Sequence, residues 1–122
     1  GIEVSDAAVA DAVRNTAANN HDNCQFMAGH AEVILKQLVA QGDRFEVAVT
    51  DPPRSGMHPK ARDALVALRP GRIVYVSCNP KALAEDLKFF GEAGYQTDYI
   101  QLVDMFPHTP HCEILARVID TK

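Results

Sequence analysis

Two segments with few polar side chains, Phe45–Thr50 (FEVAVT) and Arg72–Ser77 (RIVYVS), constrain the fold of this chain most strongly. Continuous apolar runs of this length are typical of parallel strands that are buried on both faces. Stretches with helical periodicity lie before, between and after them, so strands and helices alternate along the chain. This alternation predicts an α/β fold with a mostly parallel sheet and helices on both of its faces.

Caps and turns set the expected bounds of the other elements. The predicted helices run from Ser5 or Asp6 to about Asn20, from Ala31 to Val39, from Pro59 to Leu68 and from Pro80 to about Ala93. The other predicted strands are Gly1–Val4, Cys24–Ala28, Tyr95–Val103 and Glu113–Ile119. Because no helix separates the last two strands, the final strand is expected to be antiparallel.

The composition indicates one small globular domain. Hydrophobic residues make up 47% of the 122 residues, and no apolar run approaches the roughly 20 residues that span a bilayer. The three cysteines form no C-x-x-C pair, which disfavours a metal site and favours a reducing, cytoplasmic location. The net charge of −4 argues against nucleic-acid binding, yet residues 54–81 carry six basic side chains and one acid. This basic segment is either an ordinary solvated surface or a surface that faces phosphate groups.

Four candidate sites follow predicted strands, at the sheet edge where α/β proteins bind ligands. They are Glu3, Asp51–Gly56, Cys78–Asn79 and the loop before Glu113. An acid at the position of Glu3 can accept hydrogen bonds from ribose hydroxyls, although a plain surface carboxylate is an equally good interpretation. The convergence of the four segments on one edge is the main argument for a functional site.

Three side chains at these positions have specific chemical uses. Cys78 lies between a strand end and a helix start, where the helix dipole stabilises the nucleophilic thiolate. Two prolines stiffen the loop that holds Asp51, which can accept from a base N–H, and Arg54, which can bind phosphate. Cys24, in the middle of a predicted strand, and Cys112 are expected to be packing residues. The histidine pair at positions 108 and 111 lacks a third ligand, so we expect no metal.

Three motifs together resemble the S-adenosylmethionine-dependent RNA (uracil-5-)-methyltransferases, which make 5-methyluridine in ribosomal and transfer RNA. They are D-P-P-R-S-G at 51–56, I-V-Y-V-S-C-N-P at 73–80 and D-M-F-P-H-T at 104–109, the last followed by His111 and Glu113. The resemblance implies a Rossmann-like class I methyltransferase sheet. It also implies RNA as the partner, ribosomal more than transfer RNA, with S-adenosylmethionine as the methyl donor and no membrane association.

The resemblance assigns a role to each motif residue. Cys78 corresponds to the nucleophile and Glu113 to the general base, while Asp51 corresponds to an acid that contacts the target base and the cofactor. Glu3 corresponds to the acid that holds the cofactor ribose. The remaining expected contacts are Arg54, Asn79 and His108 with the substrate, and His30, where many members carry an acid, with the cofactor adenine.

The same resemblance implies that residues 1–122 are the C-terminal part of a catalytic domain. The first strand and the glycine-rich turn that cradles the cofactor are expected to precede Gly1. An isolated chain would then carry an apolar sheet edge or gap through which it could self-associate, and it would be inactive.

Three other classes of protein share parts of this pattern. RNA cytosine-5 methyltransferases usually carry a second cysteine where this chain has Arg54, and they lack the F-P-H-T segment. Amino-directed methyltransferases follow their (D/N)-P-P motif with an aromatic residue, which is again replaced here by Arg54. A non-catalytic fragment or binding module is the third alternative.

Overall fold

The computed structural model describes residues 1–122 as two sheets with four helices. Ten elements follow one another as β1 Ile2–Glu3, α1 Asp6–Ala18, β2 Met27–Ala28, α2 Ala31–Gln41, β3 Val47–Thr50, α3 Pro59–Leu68, β4 Arg72–Ser77, α4 Pro80–Glu92, β5 Tyr95–Val103 and β6 Glu113–Asp120. The predicted α/β class, with a mostly parallel arrangement and an antiparallel last strand, is confirmed. Strand β6 inserts between β4 and β5 and is antiparallel to both, whereas β3 pairs with β4 in parallel.

The core lies on one face of the four-stranded sheet β3-β4-β6-β5. Alternate residues of β4 and β6 point into it, among them Ile73, Tyr75 and Ala116, all of which are fully buried. Helix α3 contributes Leu65 and α4 contributes Phe90 to the same cluster. Both helices begin with proline, whose missing N–H costs nothing at the first turn, and His58 and Asn79 cap them.

The opposite face of this sheet has no buried residue. It carries Val47 and Val49 of β3, together with Val74, Val76, Leu115 and Ile119 of the next two strands, and Val49 is 73% exposed. The prediction of helices on both faces is therefore wrong for this sheet, because α3 and α4 both pack on the same side. The prediction that β3 is a buried strand is also wrong, because β3 pairs only with β4 and leaves its other edge unpaired.

Strands β1 and β2 form a separate parallel pair, against which α1 packs. Only two residues of each strand are paired, so Cys24 lies outside β2 and is exposed rather than buried in mid-strand as predicted. A groove of about 700 Å³ separates this pair from β3. The two sheets thus border one open cleft with apolar walls.

Candidate active site

The register of β4 with β6 brings two predicted site residues together. Ser77 and Ile114 form the last pair of this antiparallel ladder, so Cys78 and Glu113 are the next residues along the two strands. Glu113 shares its face with Leu115, so its carboxylate belongs to the open side of the sheet. Cys78 and Glu113 thus lie at the same end of the β4–β6 ladder although they are 35 positions apart in sequence.

The turn that presents Cys78 is fixed by its two neighbours. The hydroxyl of Ser77 donates to the carbonyl of Asn79 at 3.0 Å and accepts from the amide of Asn79 at 3.1 Å. The Asn79 side chain then accepts from the amide of Lys81 at 3.1 Å, which caps α4. Cys78 is held between these contacts with its side chain exposed and its thiol free. This arrangement presents the thiol to solvent at the start of a helix.

The D-P-P-R loop is attached directly to this turn. Asn79 Nδ2 donates to the carbonyl oxygen of Arg54 at 2.8 Å. Both polar atoms of the Asn79 side chain are therefore used within the protein, and its predicted contact with substrate stays a prediction. Asp51 follows the last residue of β3, and the side chains of Asp51 and Arg54 are both exposed. The loop thus carries two charged groups beside the cysteine turn.

The groove between the two sheets brings together the three predicted cofactor residues. Glu3, His30 and Asp51 all line it, along with apolar side chains such as Val4 and Val47. Glu3 is oriented by the amide of Ser5, which donates to its Oε1 at 2.8 Å. A carboxylate beside an apolar wall suits the ribose and base of a nucleoside.

Gly29 gives this groove its close walls. Its φ of 151° is uncommon for a residue with a side chain, and a Cβ there would lie 3.2 Å from the side chain of Ile34. The groove can therefore keep its shape between β2 and α2 only with glycine at this position.

The other predicted residues lie outside the groove. Cys78, Arg54, Asn79, His108 and Glu113 are absent from its lining. His108 occupies the exposed loop between β5 and β6 with a left-handed φ of 65°. Cys78 and Glu113 thus lie at the end of the β4–β6 ladder, at a location separate from the groove.

One residue of the site region was missed from the sequence. Asp86 of α4 is 2% exposed and accepts three hydrogen bonds, one of them from the Met57 amide just after the D-P-P-R loop. Gly56 packs against it, and Ser77 fixes the cysteine turn. The signal for Asp86 was present, because it stands among Ala82, Leu83 and Phe90 on the buried stripe of its helix.

The fold is that of the Rossmann-like class I methyltransferases, a class that takes its methyl group from S-adenosylmethionine. The model of the tRNA (uracil-5-)-methyltransferases matches residues 1–118. The chain belongs to that family, as the three motifs predicted.

Two relatives of similar sequence agree with this assignment. An uncharacterized RNA methyltransferase of Bacillus cereus is 45% identical over 116 residues, which is 95% of this chain and 25% of the relative. Another from Enterococcus faecalis is 46% identical and covers 98% of this chain and 27% of its own length. The chain thus spans about a quarter of the length of these relatives.

Solved structures give the same fold. The Pyrococcus abyssi tRNA (uracil-54, C5)-methyltransferase, in complex with S-adenosyl-L-homocysteine, superposes with a TM-score of 0.81 at 38% identity. It covers 98% of this chain, which matches 27% of that structure. An rRNA methylase from Streptococcus thermophilus, at 10% identity and a TM-score of 0.72, covers 99% of this chain and 72% of its own, and shares the fold. No helix of this chain has the length and hydrophobicity to cross a bilayer.

Proposed function

We propose that this chain carries the catalytic centre for methylation of carbon 5 of a uridine in ribosomal or transfer RNA. The observation that carries the proposal is that Cys78 and Glu113 directly adjoin the last pair of the β4–β6 ladder, Ser77 with Ile114. Membership of the family and the U54 activity named for the Pyrococcus relative support the same reaction.

The two side chains match what the chemistry requires. Carbon 5 of uracil is a poor nucleophile until the Cys78 thiolate adds to carbon 6, which moves electrons into an enolate. A bound S-adenosylmethionine would supply its methyl group to the nucleophilic carbon 5 and be released as S-adenosylhomocysteine. Glu113 removes the carbon-5 proton, and the returning electrons restore the double bond and expel the Cys78 thiolate.

The target uridine must leave its stack to reach a thiol at the sheet edge. Asp51 and Arg54 are candidates to hold it, because their loop is bonded to the cysteine turn through Asn79. Arg54 is exposed and can bind a phosphate, and Asp51 can accept from an N–H of the base. We expect His108 to contact the RNA from the adjacent loop.

The groove lined by Glu3, His30 and Asp51 is proposed to bind S-adenosylmethionine, which supplies an electrophilic sulfonium methyl group when bound. Glu3 would accept hydrogen bonds from the ribose, and His30, at the start of α2, would lie near the adenine. Asp51 belongs to both the groove and the D-P-P-R loop, so it links the groove to the loop beside Cys78.

We also propose that residues 1–122 are the C-terminal part of the catalytic domain. The cleft between β1 and β3 leaves one edge of each strand unpaired, which is room for a further strand. The curated relatives, about four times as long as this chain, have sequence to supply it. The three free cysteines favour a reducing location such as the cytoplasm.

Tritium release from RNA labelled at carbon 5 of uridine tests this function, with the chain expressed in its intact protein. Release that depends on S-adenosylmethionine and on Cys78 is expected, and transcripts of ribosomal and transfer RNA compared side by side would identify the substrate. Methylation of cytosine instead would contradict the proposal and support the cytosine-5 alternative. A complete lack of transfer by the intact protein would support the non-catalytic alternative.

A further inference from the structure

Asp86 is a buried acid that joins four segments of the chain. Its Oδ1 accepts from Nη1 of Arg62 on α3 at 2.6 Å, and its Oδ2 accepts from the backbone amide of Met57 at 2.9 Å. The hydroxyl of Tyr75 on β4 donates to the same Oδ2. Burial, reinforced by the bond to Asp86, raises the pKa of Tyr75, so its hydroxyl stays protonated as a donor. A carboxylate inside the core requires such partners, because an unpaired buried charge is very costly.

The contact with Met57 is distinct from the rest of this network, because it holds a loop rather than the core. Met57 is the first residue after the D-P-P-R-S-G segment, and its amide has no backbone acceptor. Gly56, with a φ of 86°, packs so close that a Cβ there would lie 3.0 Å from Asp86 Oδ2. The loop is therefore seated on the Asp86 carboxylate at its C-terminal end.

The other attachment of the loop is the hydrogen bond from Asn79 to the carbonyl of Arg54. Asn79 and Asp86 both belong to the segment that starts immediately after Cys78. Asn79 is the N-cap of α4, and Asp86 lies in its second turn. Tyr75 lies three positions before Cys78 on β4. The loop that carries Asp51 and Arg54 is thus fixed to the same helix and strand that present the thiol.

We propose that Asp86 is a positioning residue that sets the distance between the Asp51–Arg54 loop and Cys78. Asp86 is buried and does not line the groove, so it acts through the Met57 amide. The role of the loop in holding uridine rests on the proposed function, whereas the attachment itself does not. Reacting groups that are misplaced by about 1 Å can cost on the order of a hundredfold in rate, which is why such an attachment matters.

Hydrogen exchange of this chain tests the attachment without any assay of activity. In the wild-type chain the Met57 amide is expected to exchange at least tenfold more slowly than a loop amide without a hydrogen-bond acceptor, such as that of Phe106. Asp86→Asn should accelerate exchange at Met57 by tenfold or more, while the amides of β4 stay protected. Tyr75→Phe, which removes a donor to the same oxygen but leaves the loop bond, is the matched control and should leave Met57 protected. A wild-type Met57 amide that exchanges freely would overturn the proposal even if Asp86→Asn failed to fold.

Kinetics of the intact protein test the consequence. Most RNA affinity comes from phosphate contacts, so Asp86→Asn should lower kcat at least tenfold with the KM for RNA changed less than threefold. The assay must be made at a temperature at which circular dichroism shows the variant folded. Equal losses in Asp86→Asn and Tyr75→Phe would indicate a purely structural network and overturn the proposal. Failure of the wild-type protein to methylate uridine would instead reject the proposed function, and the exchange data would still decide the attachment.

Discussion

Cys78 is the one cysteine at a junction between a strand and a helix, and it is exposed directly after the last residue of β4 that pairs with β6. We expect the intact protein to form a stable covalent adduct with RNA that contains 5-fluorouridine. With fluorine at carbon 5 there is no proton for the base to remove, so the cysteine cannot be released. Cys78→Ala should abolish the adduct and lower methyl transfer by several orders of magnitude. Denaturing gels with labelled RNA measure this directly. Cys24→Ala, which removes another exposed thiol, is the control, and an adduct that persists in Cys78→Ala would refute the assignment.

Glu113 is the proposed general base, and its replacement should separate methyl transfer from release of the RNA. In Glu113→Gln, methyl transfer should still occur, but release of the RNA should slow by roughly 10²–10⁴-fold, the usual contribution of a general base. Mass spectrometry should then find a peptide with Cys78 bound to methylated nucleotide. Glu85→Gln, an exposed acid on α4, should turn over normally. Normal product release in Glu113→Gln would mean that another residue is the base.

At the scale of elements, one ion pair joins the end of α3 to the end of β6. Arg69 ends α3 in a left-handed conformation, donates to Asp120 with two nitrogens and donates to the carbonyl of Ala93 at 2.9 Å. The hydrogen bond from Arg69 lowers the pKa of Asp120. Asp120 therefore contributes stability that is complete above its unfolded pKa of about 3.9 and is lost as pH falls through the lower folded value.

Urea unfolding at a series of pH values tests this contribution. Between pH 6 and pH 3 the wild-type chain should lose stability, and Asp120→Asn should be less stable at pH 6 but lose less on acidification. Part of the loss should remain, because Arg117 lowers the pKa of Asp98 in the same way. Asp11→Asn, which breaks an exposed pair on α1, should match the wild type throughout. Parallel curves for Asp120→Asn and the wild type would contradict the linkage.

Elements whose ends carry local signals could be predicted from the sequence, and those whose ends depend on a partner could not. Helix α3 has the predicted bounds, because Pro59 starts it and Arg69-Pro70-Gly71 ends it. Strand β5 also has its predicted bounds. Strand β2 is two residues long rather than five, because β1 offers only two residues to pair with it. The exposure of Cys24 follows from that missing partner.

The candidate site shows the same contrast between features with a local sequence signal and features that depend on tertiary contacts. The motifs predict roles for Cys78, Glu113 and Asp51, because the chemistry restricts which side chains can serve. Their mutual placement depends on the register of β4 with β6, which is a tertiary property with no local signal. Asp86 was missed since an acid in a helix normally faces solvent, and only its place on the apolar stripe of α4 distinguished it. Residues that act through other residues are the hardest to predict from a single sequence.

At the scale of the whole molecule, the open cleft between the two sheets should govern how the chain behaves alone. The core between α3, α4 and the four-stranded sheet is complete enough to fold. Strand β3, however, keeps one edge unpaired and exposes Val47 and Val49, and unpaired apolar edges recruit other chains. We therefore expect the isolated chain to self-associate, with an apparent mass in sedimentation or sizing measurements that rises with concentration. Val49→Lys should reduce this association, while Val33→Lys, which replaces another exposed valine on α2, should not.

The same cleft should limit cofactor binding. Glu3, His30 and Asp51 can contact the nucleoside part of the cofactor. The groove is open where a further strand would close it, so little buried surface is available to the rest of the cofactor. Affinity depends on enclosure as well as on polar contacts, so the isolated chain should bind S-adenosylhomocysteine at best weakly. Titration calorimetry on the isolated chain and on the intact protein would compare their affinities for S-adenosylhomocysteine directly. Glu3→Gln should lower the affinity of the intact protein. Micromolar binding by a monomeric isolated chain would mean that these residues suffice without any further strand.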